Sequence, residues 1–138
     1  MTHRIIITLT VGIVFGHMAP VGAYELTGAK WSLGNGQQVN YLVNRQLSTD
    51  VEDGACLSSV DWGFAQWTGV GCSYMTWSQS GRTENAGWGV GDGENVVSWR
   101  EAAWGDSRVA LAITSTIFAG INNALQDTDI KFNGEHHR

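Results

Sequence analysis

The chain has 138 residues, 43% hydrophobic and 15% charged, with 18 glycines and one proline. That length suits one small domain, and the composition excludes a disordered chain and a coiled coil. The net charge is −5 and the eight Lys and Arg are scattered singly, which excludes nucleic acid, a partner that calls for a basic patch. Seven tryptophans must either fill a core or line a binding surface.

Met1 to Ala23 reads as a secretory signal peptide. Arg4 supplies the positive start, Ile5 to Phe15 the apolar run, and Val21-Gly22-Ala23 the small residues before a cut. The run is too short for a bilayer span, which needs about 20 apolar residues, and His17 and Pro20 interrupt it. The mature chain, 24–138, is then a single exported unit beginning near Tyr24, with no membrane association after cleavage.

Gln38 to Asn44 alternates Val39, Tyr41 and Val43 against Asn40, Leu42 and Asn44, a period of two that predicts a strand. Gly34-Asn35-Gly36 before it signals a turn. Leu57, Val60, Phe64 and Trp67 recur at steps of three and four and predict one apolar helix face, a structural core packed on a sheet. Thr49 with Glu52 offers a capping box, Gly54 delays the start towards Cys56, and Gly69 and Gly71 close the helix. Ser73 to Ser78 reads as a strand again, so that strand, helix and strand form a right-handed crossover onto one sheet. Ser78 to Glu94 is polar, glycine-rich and aperiodic, and reads as a long loop. Asn95 to Trp99 and Val109 to Phe118 have strand character, and Thr128 to Asn133 sets Ile130 and Phe132 against Asp129, Lys131 and Asn133. The last two segments, joined by the turn at 119–123, predict a hairpin.

Several of these segments together resemble one family. Trp31 followed by Val39 to Asn44, Phe64-Ala65-Gln66-Trp67 before Val70-Gly71-Cys72-Ser73, Asp92-Gly93-Glu94-Asn95-Val96-Val97-Ser98-Trp99, Leu111 to Thr114 and Asp127 to Asn133 are similar, in this order, to the front half of secreted bacterial matrixin-like zinc metalloproteases of the metzincin group. The resemblance implies an α+β fold, a twisted mixed β-sheet with one packed helix, forming the N-terminal subdomain of a zinc endopeptidase. It further implies an exposed edge strand that holds a peptide or protein substrate by main-chain hydrogen bonds. The chain departs from the family where the chemistry lies, because no H-E-x-x-H-x-x-G-x-x-H occurs in it. That motif carries the three zinc ligands and the general base. The zinc ligands and catalytic residues are therefore expected outside this chain, which is expected to be an incomplete, inactive fragment.

The residues at hand support no substitute. Of four histidines, His3 and His17 belong to the leader, while His136 and His137 are adjacent in a terminus expected to be solvated. Neighbouring residues of an extended chain point to opposite sides. No Gly-x-Ser-x-Gly elbow is present, and no Lys follows the glycines at 87–93 to make a phosphate cradle. Asp92, Glu94, Asp127 and Asp129 are candidate calcium ligands, against the simpler reading of Asp-Gly turns. Trp88 and Trp104, outside the predicted elements, are candidates for exposure, and exposed Trp in an exported acidic protein stacks on sugars. A secreted carbohydrate-binding module is thus the alternative function. Cys56 and Cys72 are not expected to bridge each other. The helix between them separates its ends by about 18 Å, the remaining residues return at most about 13 Å, and a disulfide needs Cα atoms within about 7 Å.

N-terminal sequencing of exported protein is expected to begin at or within a few residues of Tyr24. An intact Met1 in the membrane fraction would contradict the leader assignment.

Overall fold

The computed structural model describes residues 28–34, 37–88, 91–120 and 123–137. The predicted leader, the start near Tyr24, Asn35-Gly36 of the predicted turn, Gly89, and Ile121-Asn122 of the hairpin connection lie outside these residues. The elements run β1 (Lys30–Trp31), β2 (Val39–Asn44), α1 (Asp53–Thr68), β3 (Trp77–Thr83), β4 (Val96–Arg100), β5 (Ala112–Ala119) and β6 (Ala124–Asn133). One sheet holds all six strands in the order β1-β6-β4-β2-β3, with β5 on β6. Every pairing is parallel except β5 with β6. This is the expected α+β arrangement of a mixed sheet with a single helix among the described residues. None of those residues forms a helix long and apolar enough to cross a membrane.

The core lies between α1 and the sheet. Tyr41, Val43, Leu47, Cys56 and Val97 are buried together, with Leu57, Val60, Phe64, Trp77, Trp99 and Phe132 packed on them. The period of β2 explains its share: Tyr41 and Val43 alternate onto the helix side. Phe64 stacks on Tyr41 at 4.0 Å between ring centroids and leans on Trp77 at 5.0 Å. The Tyr41 hydroxyl donates to Asp61 Oδ1 at 2.8 Å. Burial first, then this carboxylate acceptor, push the phenol above the usual tyrosine range, so the ring stays a neutral donor that ties helix to sheet.

Trp67 departs from expectation. Three of the four predicted helix-face residues, Leu57, Val60 and Phe64, pack on the core, but Trp67 is 70% exposed. The helix ends one residue later, where the Gly69 N–H closes on the Ala65 carbonyl. Its last turn overhangs an open groove above Val97 and Ile130, and no described element stands there to cover the indole.

Boundaries also shift. The helix is capped by Glu52, whose carboxylate accepts from the Ala55 N–H at 3.0 Å; Thr49 instead bonds Glu101 through its N–H and hydroxyl. Hydrogen bonds from the Gly54 and Ala55 N–H groups hold the Glu52 carboxyl below its ordinary range. The third strand is Trp77–Thr83, not Ser73 to Ser78, so the front of the expected long loop is a strand. Its polar sequence is tolerated because β3 is an edge, pairing only with β2. Gln79 faces Tyr41 and Gly81 faces Leu42, leaving Ser80 as an extra residue and Gly81 at φ +140°. This is a bulge that glycine permits.

Phe64→Ala should cost about 3 kcal/mol of stability, read as a lower chemical-denaturation midpoint. Trp67→Ala should cost a small fraction of that. Equal losses from the two would contradict the observed packing.

Candidate functional site

The far side of the sheet is built from the polar half of β6. Alternation puts Asp127, Asp129, Lys131 and Asn133 on one face, and all four are buried. Two connections cover them. In the first, residues 84–95, Gly87 at φ +50° packs so closely that a Cβ would sit 2.5 Å from Val96 Cβ and 2.7 Å from Asp129 Oδ1. In the second, residues 101–111, Trp104 is only 3% exposed and its indole N–H donates to the Ser107 carbonyl at 2.9 Å. Between them Lys131 Nζ lies 3.7 Å from the Trp88 ring centroid and 4.8 Å from that of Trp104. It also pairs with Asp106 at 3.0 Å. One face of each indole is thus met by the same ammonium. The expected exposure of Trp104 is corrected, whereas Trp88 is exposed as expected.

Three of the four candidate calcium ligands come together. Asn85 Nδ2 donates to Asp92 Oδ2 at 2.7 Å and to Glu94 Oε2 at 3.3 Å. Asp92 Oδ1 accepts from the Glu94 N–H, and Asp127 Oδ2 from the Gly93 N–H at 3.2 Å. Asp129 lies deeper, accepting from the Val96 N–H at 3.1 Å. No group of three His, Cys, Asp or Glu among the described residues is arranged to hold a metal ion. The carboxylates instead staple the loop by accepting from its amides. Among the described residues the carboxylates therefore form no metal-ligand set.

The expected solvated tail is anchored. Glu135 Oε2 accepts from the Trp104 N–H at 2.7 Å, and the His136 N–H donates to Asn133 Oδ1. His137 Nε2 sits 2.9 Å from the Arg108 carbonyl, while His136 Nδ1 is 4.0 Å from Glu135 Oε1. The two imidazoles face different partners. Cys56 is buried and Cys72 exposed, each as a free thiol.

On the helix side, a cleft of about 380 Å³ lies between Cys56 and Val60 of the helix and Trp99, Leu111 and Phe132 of the sheet side. A second of about 230 Å³ continues past Phe64 and Trp67 over Val97 and Ile130. They meet at Ser59, Val60 and Phe132, an apolar groove of ligand-binding dimensions. It reaches Leu111 at the start of β5. Beyond that lies an edge that is open among the described residues, since of the described strands only β6 pairs with β5. Its eight residues, Ala112–Ala119, carry no charge and no proline. Sequence reasoning marked the strand but not the groove, whose apolar walls read as ordinary core.

Scans against family models, curated proteins and solved structures returned no match.

Burial raises the Asp127 pKa, as does the nearby Asp92 charge, while the Gly93 N–H lowers it. A carboxyl whose folded pKa is raised contributes stability in full below its unfolded value, about 3.9, and loses it as pH climbs through the folded value. Asp92 acts in the opposite sense: its backbone bond from Glu94 lowers its pKa, so its contribution is lost as pH falls. Asp127→Asn keeps an acceptor for Gly93 and adds a donor towards Asp92. Its melting temperature should match wild type below pH about 4 and exceed it at pH 7. A lower value at pH 7 would show that the negative charge is needed there, as for a bound cation.

Proposed function

We propose that this chain is the front half of an exported, matrixin-like zinc-dependent endopeptidase, contributing the sheet and the edge along which a peptide substrate lies. The observation that carries the reading is β5, a regular, uncharged antiparallel strand whose outer edge no described strand pairs, beside an apolar groove. An extended peptide added there would gain main-chain hydrogen bonds from β5, and its side chains on the helix side would face the groove. The ordered motifs that carry the family resemblance supply the rest. They fall on β1 and β2, on the end of α1 and its exit, on the entry and body of β4, and on the β5–β6 hairpin.

In this reading the zinc site comes from residues outside this chain. A catalytic zinc takes three protein ligands and an open position for water, and the described residues assemble no such set. The part played by this chain is to bind and align the scissile peptide.

The 138-residue chain should show no tight zinc binding by titration calorimetry and no casein cleavage with or without chelator. Chelator-sensitive proteolysis by the purified chain would contradict the proposal.

A further inference from the structure

We infer that β5 also pairs with β5 of a second copy, antiparallel about a two-fold axis through Ser115, to give a continuous sheet across a symmetric dimer. The inference does not rest on the proteolytic reading, although a second copy and an added peptide would use the same outer edge of β5 and so exclude each other.

An edge strand offers a row of unpaired N–H and C=O groups, and proteins normally guard it with charge, proline, a bulge or a cover. The edge strands β3 and β5 differ in that respect. β3 carries Arg82 and the Ser80-Gly81 bulge, which bends it away from further pairing. β5 carries no charged residue and no proline, and no described strand pairs its outer side. Its register on β6 does shift, with Ile117 opposite Asp127 and Phe118 opposite Leu125, but the extra residue, Gln126, lies on β6. β5 itself stays regular through all eight positions. The uncharged stretch also extends past the strand, with no Asp, Glu, Lys or Arg from Val109 to Gln126. A molecule of net charge −5 therefore meets no like charge along this line when it meets its copy.

The sequence of β5 is also self-complementary. A two-fold through Ser115 sets Thr114 opposite Thr116 of the second copy and Ile113 opposite Ile117. These are threonine–threonine and β-branched pairs of the kind that stabilise antiparallel ladders. Residues opposite each other in the β5–β6 register share a face, so Thr114 and Thr116 lie with Ile130 and Thr128 on the helix side, while Ile113 and Ile117 lie with Lys131 and Asp127 on the far side. The same patch is continued by exposed Val109, Leu111 and Phe118. Shifting the axis by one residue would pair isoleucine or threonine with serine, which favours the Ser115 register. Isologous contact of this kind closes at two copies.

Thr114 and Thr116 are exposed, so charges there are compatible with the fold. The test is sedimentation velocity on the full chain over a wide concentration range, with two double variants, Thr114→Lys/Thr116→Lys and Thr114→Glu/Thr116→Glu. Wild type should dimerise. Each variant alone sets like charges opposite each other twice and should weaken association about tenfold or more; an equimolar mixture of the two should dimerise again. A wild-type chain that stays monomeric, a lysine variant that dimerises as wild type does, or a mixture that fails to associate would each overturn the inference. A cysteine scan gives a second reading. Ser115→Cys should form a disulfide-linked dimer under mild oxidation, whereas Val109→Cys should not, and equal cross-linking of both would equally overturn it. Loss of dimerisation in this test leaves the zinc and casein measurements untouched, so the two readings fail separately.

Discussion

The buried polar side of β6 is the constraint on which the rest of the structure depends. Asp127, Asp129, Lys131 and Asn133 follow one another at alternate positions under cover, and a buried polar group without a partner costs about 1–3 kcal/mol. The Gly93 amide of the first connection reaches Asp127 Oδ2, and the Val96 amide at the start of β4 reaches Asp129 Oδ1; Asp127 Oδ1 has no hydrogen-bond partner among the described residues. Asp106 with two indoles meets the ammonium. Asn133 donates to the carbonyl of Ala110 at 2.9 Å. These contacts fix the courses of both long connections, and so fix where Trp88 and Trp104 lie.

With the far side filled, the apolar side of β6 faces the helix and its outer flank carries β5. One helix covers only part of that side. Phe132 stacks on Trp99 at 5.2 Å and forms the floor shared by the two clefts. Ile130 lies under the exposed Trp67. The groove arises because the one described helix does not cover the whole face of the sheet, and the edge because, of the described strands, only β6 pairs with β5. Both face the region where an extended chain would run, which links the fold to the proposed role in binding peptide.

Much of the architecture was legible in the sequence because it is local. The alternation in 39–44 and 128–133 marks β2 and β6, and the three-four spacing of Leu57, Val60 and Phe64 marks the buried side of α1. What was not legible is set by distant partners. Ser78 to Thr83 reads as loop by composition, yet β2 supplies its ladder. Trp67 fits the helical spacing, yet its burial would need a neighbour that the described residues do not provide. The polar positions of β6 carry no sequence signal of burial, and the connections that fold over them make them interior. Of the candidate ligands, Asp92, Glu94 and Asp127 lie together, and their oxygens accept from backbone and Asn85 donors. The groove had no sequence signal, since an apolar residue lining a cleft and one filling a core look alike.

The most direct test of peptide addition at β5 is amide hydrogen exchange, measured with and without an extended, uncharged peptide at a protein concentration where the chain is monomeric. The account predicts slower exchange at alternate amides of Ala112–Ala119 and none at Trp77–Thr83. Protection confined to β3, or no change along β5 at saturating peptide, would contradict it.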